Sequence, residues 1–346
     1  MAAVKKKATK KKATKKKATK KKAASGKSTK KKPLRKVAAK KATAKKATAG
    51  KVAMDDLKQA VGGIEKFVTQ HDYDAIDTGV ELARGLDDPA VFESLLKGCS
   101  IDKEGVLVAS KLYPVHEDAR SYQDYALLHL LLHAPAGARL HRSLQRSNIT
   151  RLDLFGNQWR ELPAGLGTLK KLKKLNFEQI DDALQNADAL ASCTALTHLT
   201  LSNCYGLENL DGLSGCKKLT SLDLRSSRFA TLPAGVANCK NLTDLNLSSS
   251  TNLESLNGLA NSTKLKTLDL PICTSLLSLD GIEKCTQLTS VDLWNCTALE
   301  NVDGLANCTK LKNLNLEACK RVTPKPPVES MTTRKEVATY QGLLKE

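Results

Sequence analysis

Residues 196–216 read LTHLTLSNCYGLENLDGLSGC, and their leucines fall into two half-patterns. The first is Leu196-x-x-Leu199-x-Leu201-x-x-Cys204; the second is Leu207-x-x-Leu210-x-Gly212-Leu213, closed by Cys216. The same frame restarts at Ile149, Leu172, Leu196, Leu219, Leu242, Leu265, Leu288 and Leu311, every step being 23 residues except the second, which is 24. In the Leu-x-Leu core successive side chains point to opposite sides, so Leu222 and Leu224 are expected to face inward and Asp223 outward. One such unit buries little apolar surface alone; a stack of them buries a continuous core, each unit stabilised by its neighbours.

These residues carry a resemblance to the leucine-rich repeat family. It covers Ile149 to about Val322 in eight units, the last incomplete. The resemblance implies an α/β repeat solenoid, a horseshoe with a parallel concave sheet. The Cys, Ser or Asn that ends each strand half is expected inside the turn, where a small, weakly polar side chain can meet backbone groups. Gly212, Gly258, Gly281 and Gly304 recur at one place in the convex half, where a tight bend or a positive φ is expected. Two units read Leu-Pro-Ala-Gly instead, at Leu162 and Leu232, as in other repeats of the same family.

The ten cysteines follow the same period. After Cys99 they stand at 193, 204, 216, 239, 273, 285, 296, 308 and 319, and no CxxC occurs. Cysteines spaced by a structural repeat read as repeat positions, and neither a disulfide framework nor a metal site is expected.

Residues 52–148 read as a helical domain capping the solenoid. Leu57, Val61, Ile64 and Phe67 have helical spacing; Asp88-Pro89 reads as a cap with proline at the first helical position, ahead of Phe92, Leu95 and Leu96; and a further helix is expected near Ser121 to His133. Beyond Pro324, Pro326 and Pro327, residues 323–346 read as a linker and closing helix, opened by Thr333-x-x-Glu336 and carrying Val337, Tyr340, Leu343 and Leu344.

Charge divides the chain sharply. Residues 1–51 hold 23 Lys and Arg and no Asp or Glu, whereas the remaining residues hold 32 basic and 36 acidic side chains; the net +19 is therefore 23 − 4. Block charge of one sign cannot bury a core, so this segment reads as a disordered tail. Its cations fall in repeated pentads: Lys5, Lys6, Lys7, Lys10, Lys11, Lys12, Lys15, Lys16, Lys17, Lys20, Lys21 and Lys22, then Lys30, Lys31, Lys32, Arg35, Lys36, Lys40, Lys41, Lys45 and Lys46. The composition resembles the Lys/Ala-rich tails of linker histones and bacterial histone-like proteins. Duplex DNA carries one charge per roughly 1.7 Å of axis, so such a tail is ample for non-specific binding. With no aromatic residue or rigid element it offers neither base stacking nor base readout. RNA or ribosomes, polyphosphate and anionic membrane are served by the same charges, and a tail that only confers solubility is the remaining reading.

Other motifs are set aside. Gly26-Lys27-Ser28-Thr29 ends like a phosphate-binding loop, but Lys21 stands where its first glycine belongs. His129 and His133 share a helix face at metal-pair spacing, with His116 and His141 nearby in sequence; Leu130 stands where a zinc-protease motif has Glu, and no third ligand is fixed. No nucleophile elbow or Cys-His arrangement departs from the repeat. No catalytic residue, metal or cofactor is expected.

The outward strand position holds Asp153, Asn176, Thr200, Asp223, Asn246, Asp269, Asp292 and Asn315. It reads either as a docking strip for a basic partner, the chain's own tail included, or as a plain consequence of the repeat. Phe155, Glu178, His198, Arg225 and Trp294 lie beside it. Asp153, Phe155, His198, Asp223, Arg225, Asp269, Asp292 and Trp294 are the candidate partner-binding residues, Trp and Arg being the usual anchors of interfaces. The expectation is a non-enzymatic protein-binding scaffold anchored to nucleic acid, DNA foremost, with a protein partner on the concave face. The chain is expected to be a monomer, to lack a transmembrane segment, and to reside in the cytoplasm, on the nucleoid or in a nucleus. The alternatives are an interaction module whose tail serves another purpose, and an enzyme or effector with its chemistry in residues 52–148.

Overall fold

A computed structural model describes residues 54–108, 120–135, 137–140, 142–155, 161–178 and 183–345. The Lys-rich tail, and His116 and His141, lie outside them.

Three helices open the described chain. Helix α1 (Met54–Val68) buries Val61, Ile64 and Val68. Helix α2 (Tyr73–Leu86) starts where the Asp72 carboxylate accepts from Ala75 N. Helix α3 (Pro89–Leu95) has the expected start: Asp88 Oδ1 accepts from Ala90 N at 2.9 Å, with Pro89 in the first turn. A hairpin follows, β1 (Ser100–Ile101) antiparallel to β2 (Leu107–Val108), which no pattern in the sequence announces. Helix α4 (Arg120–His133) is apolar around its whole circumference from Tyr125 onward, and accordingly it is buried. It packs on α2, on the first strand of the repeats and on the turn at Ala164–Thr168.

The repeats give one sheet of nine strands. These are β3 (Arg151–Phe155), β4 (Lys174–Glu178), β5 (His198–Ser202), β6 (Ser221–Asp223), β7 (Asp244–Asn246), β8 (Thr267–Asp269), β9 (Ser290–Asp292) and β10 (Asn313–Asn315), then β11 (Ser330–Met331). Strands β3 to β10 are parallel in chain order, and each pairs the inward aliphatic residue of one repeat with that of the next, as in Leu152↔Leu175, Leu199↔Leu222 and Leu268↔Val291. Both sheet edges are covered. Gly105 O accepts from Asp153 N at 2.8 Å beside β3, and β11 runs antiparallel along β10. Covering the edges removes the unpaired rows that invite further strands. The last helix, which follows the short convex helix α5 (Ala234–Ala237), is α6 (Arg334–Leu343); it opens with a full capping box between Thr333 and Glu336. Its Gln341 donates to Leu305 O and Cys308 O in the final convex turn.

Two features of the repeat differ from expectation. Of the four recurrent convex glycines only Gly281 has a positive φ, at 102°. The others are needed for room: a Cβ on Gly212 would lie 2.0 Å from Ala187 O, and one on Gly304 would lie 2.4 Å from Leu279 O. The left-handed residue is instead the one just past the strand. Asn203, Ser226, Ser249, Ile272, Asn295 and Ala318 all have φ between 57° and 64°. There the chain turns off the sheet while its N–H still donates to the next repeat, as Ser226 N does to Ser248 O at 2.8 Å. Asn tolerates this conformation and Ser, Ala and Ile do so at a cost. Ala318→Gly is therefore expected to raise stability by about 1 kcal/mol. Urea titration of both proteins checks this; an unchanged or lower midpoint would mean that the left-handed backbone at 318 carries no strain.

The repeat cysteines form two interior ladders, and all ten cysteines of the chain are buried and outside any disulfide. On the strand side Cys273, Cys296 and Cys319 each donate to a carbonyl of the preceding repeat, at Leu247, Leu270 and Leu293. Cys216 and Cys285 do the same on the convex side, to Leu190 and Leu259. Burial pushes the Cys216, Cys273 and Cys285 thiols up to about 12, so these three are neutral donors rather than reactive thiolates, whereas a hydrogen bond with Cys296 draws the Cys319 thiol down.

Candidate interaction face

Alternation along the strands puts every leucine inside and three columns of side chains on the concave face, the middle column being the Asp/Asn/Thr stripe. From β6 to β10 most of that stripe has a local structural duty. Asp223 Oδ1 accepts from Arg225 N, Asn246 Oδ1 from Ser248 N, Asp292 Oδ1 from Trp294 N and Asn315 Oδ1 from Glu317 N, at 2.9–3.1 Å. A short acceptor two residues before the turn satisfies an N–H that the ending strand leaves open.

Among these five strands Asp269 is the exception. The residue two on is Pro271, which has no N–H, so no such bond can form. Burial, and after it the Asp292, Asp244 and Asp223 carboxylates, push the Asp269 pKa above the ordinary carboxylate value. A carboxylate that holds its proton more tightly folded than unfolded weakens the fold as pH rises through the window just above that value. Asp269→Asn is accordingly expected to raise the melting temperature at pH 7 and to flatten its decline as pH rises from about 4 to neutrality. Thermal melts across that range check it; identical profiles would mean that the neighbouring carboxylates do not act on Asp269.

The candidate residues divide along the face. Asp153 is withdrawn from it: only 3% exposed, it lies under the hairpin, ion-paired with Arg151 at 2.8 Å and accepting from Asn176 Nδ2 at 2.7 Å. Phe155 ends β3, and its side chain lies outside the described residues. His198 is exposed on β5 and bonded through Nδ1 to the Thr197 hydroxyl, and slight burial and Lys174 push its pKa down. Asp223 and Arg225 form an ion pair at 2.9 Å. Asp292 is half-buried, and Trp294 stands 39% exposed on an otherwise polar sheet.

Charge is also divided. Across β3–β6 and their exits Arg151, Lys174 and Arg225 balance Asp153, Glu178 and Asp223, whereas across β7–β10 the three columns hold Asp244, Asp269, Asp292 and Glu317 and no Lys or Arg.

His129 and His133 lie inside the helical layer. His129 stacks on Tyr125 at 4.0 Å between ring centroids, with Asp77 3.9 Å from its Nδ1. The Asp77 carboxylate favours the imidazolium, but burial and the nearby His133 outweigh it and push the His129 pKa down to about 4. No group of three side chains able to hold a metal occurs among the described residues. Nor is any helix among them long and apolar enough to cross a membrane.

A second concavity went unread in the sequence. An open groove of about 640 Å³ lies on the rim between Tyr205–Glu208 and Arg228–Thr231. Outer-rim bridges link Asn186 to Asn209 and Thr231 to Ser255, but no backbone hydrogen bond among the described residues joins 205–209 to 228–231. The cause is a spacing: Cys204 to Asn209 is five residues and Ser227 to Thr231 only four. The shortened exit loop leaves Arg228 lying 5.2 Å over the Tyr205 ring.

Comparison with known proteins agrees with this architecture. No protein-family model matches the chain, and no curated protein matches it in sequence. Among solved structures, the leucine-rich repeat domain of the type III effector XopL is similar at a TM-score of 0.50 and 20% identity, over 80% of this chain and 92% of that one. Internalin C2 from Listeria monocytogenes is similar at a TM-score of 0.45 and 17% identity, over 74% of this chain and 91% of that one. The chain has the leucine-rich-repeat fold.

Proposed function

We propose that this chain is a non-enzymatic protein-binding scaffold, whose concave sheet face receives a protein partner and whose Lys-rich tail holds it to nucleic acid, DNA foremost. The observation that carries the reading is the division of labour within the repeat. Leucines and cysteines fill the interior, leaving a continuous face of polar, charged and aromatic side chains on a rigid sheet, the usual ground for a specific interface. The helices at one end and α6 at the other serve as caps, because a solenoid end would otherwise expose its apolar core. The tail contributes charge without sequence preference, and its 23 cations equal the phosphate charge on about 39 Å of duplex.

The face is tested with the photo-crosslinking residue p-benzoylphenylalanine placed at 225 or 294 on the concave side, and at Lys240 or Lys264 on the outside. In extracts of the source cells the concave positions are expected to give one discrete partner that the outer positions do not. Crosslinking of the same partner only from 240 and 264 would overturn the concave reading.

A further inference from the structure

Between β8 and β9 the rim of the sheet departs from its own repeat. The column just past the strands is polar at Ser202, Arg225, Ser248 and Glu317, but Pro271 and Trp294 stand there on adjacent repeats. Beside them Ile272 occupies the left-handed position at φ 64°, where its counterparts are Asn, Ser or Ala; for a β-branched residue this is a genuine outlier. Ile272 N donates to Trp294 O at 2.8 Å, so the three residues form one rigid ledge. Packing gives no reason for it, since Pro271 and Ile272 are only half-buried and Trp294 is exposed. An aromatic and aliphatic ledge, retained against a backbone cost on a polar sheet, is a contact surface.

The surroundings of the ledge fix the kind of partner. Carboxylates approach it from both sides: Asp269 and Asp292 sit on the paired strands before it, and Glu317 follows on the next repeat. No cation in the three columns of β7–β10 answers them, and Asp269 lacks even the local N–H its counterparts use. An indole face flanked by unanswered carboxylates is matched by a guanidinium or ammonium group, which the ring quadrupole and the acids both attract.

We propose that the concave face from β7 to β10 is the docking site for a Lys- or Arg-rich segment of the partner protein, with a basic side chain laid over Trp294 between Asp269, Asp292 and Glu317. This rests on the concave face being the binding face and names the chemistry of what binds there. A neutral or acidic partner would leave the carboxylates desolvated and mutually repelling; a basic segment relieves that repulsion and draws Asp269 back toward the ordinary carboxylate range.

The test is fluorescence anisotropy of fluorescein-labelled octa-arginine titrated with the full chain at about 0.15 M salt, where charges beyond roughly 8 Å are screened. Trp294→Ala and the double variant Asp269→Asn/Asp292→Asn are each expected to weaken binding about tenfold. Asp280→Asn/Asp303→Asn, which removes two exposed carboxylates outside the concave columns, is expected to leave it unchanged. Equal binding by all four proteins, or no binding by the unaltered chain, overturns the proposal. If the peptide ignores the variants while crosslinks from 225 and 294 persist, the basic chemistry falls and the concave face stands. If the crosslinks fail as well, both fall.

Discussion

Gly215→Ala is expected to cost about 3 kcal/mol, the upper end of the range for forcing atoms into a packed interior, and so to lower the melting temperature by roughly 10 °C. The added Cβ would lie 1.8 Å from Ala191 O and 2.6 Å from Ala191 C, both backbone atoms of the preceding repeat. A flexible side chain could swing aside; a carbonyl in the neighbouring coil cannot, and the stack would have to open by more than an ångström. Gly62 in α1 is the control, because a Cβ there meets nothing within 4 Å. Gly62→Ala removes a helix-interior glycine and should raise stability by about 0.5–1 kcal/mol. Melting curves of the two variants moving in opposite directions would show that inter-repeat distance, not glycine content, sets the stability of the convex side. Tolerance of alanine at 215 would mean that the repeats stack more loosely.

Leu224→Ala is expected to destabilise the chain by about 2–5 kcal/mol. Leu224 has no exposed surface, and its side chain sits in the interior between the leucine layers of the flanking repeats. Its N–H, bonded to Asn246 O at 2.8 Å, is untouched by the substitution, so the loss reads the cavity alone. Asp223→Ala, on the opposite side of the same strand, should cost well under half as much, since it forfeits an exposed ion pair with Arg225 and one turn hydrogen bond. Denaturant titrations compare the two, and a loss below about 0.5 kcal/mol at Leu224 would place it on the wrong face.

The repeat was legible because periodicity is a property of the chain that no tertiary context can hide. The start at Ile149, the inward register of Leu222 and Leu224 and the interior place of the cysteines all follow from a 23-residue step. Cap chemistry was equally local: Asp88-Pro89 and Thr333-x-x-Glu336 act over three or four residues and need nothing from the rest of the molecule. What escaped depends on contacts far apart in sequence. The β1–β2 hairpin is two residues per strand, too short for any alternation to show, and it matters only because Gly105 reaches Asp153. That contact takes Asp153 out of the open face, which no reading of the strand itself could reveal.

Whether the convex glycines serve a positive φ or close packing is open in the sequence, because it shows small residues without showing what they are small for; Gly281 has the positive φ, and the others supply clearance. The left-handed position was missed for the converse reason: Asn, Ser, Ile and Ala share no side-chain property that announces it. The difference between Asp269 and its counterparts was present in the sequence, as Pro271 two residues on. It became meaningful once the hydrogen bonds of Asp223, Asn246, Asp292 and Asn315 showed what proline denies it.

Electrostatics connects the two ends of the account. The tail holds 23 cations within 51 residues, and the body that follows is near neutral, with its unanswered acids on β7–β10. On the function proposed above, the tail sets where the chain is held and the concave face what it holds. The most direct test measures binding of the full chain, and of a chain beginning at Val52, to random-sequence duplex DNA across a salt series. Binding by the full chain is expected to be tight and to fall steeply as salt rises, with a slope of about −0.9 per phosphate neutralised, and to be lost on truncation. Weak binding by both near 0.15 M salt, or tight binding that survives removal of residues 1–51, would contradict it.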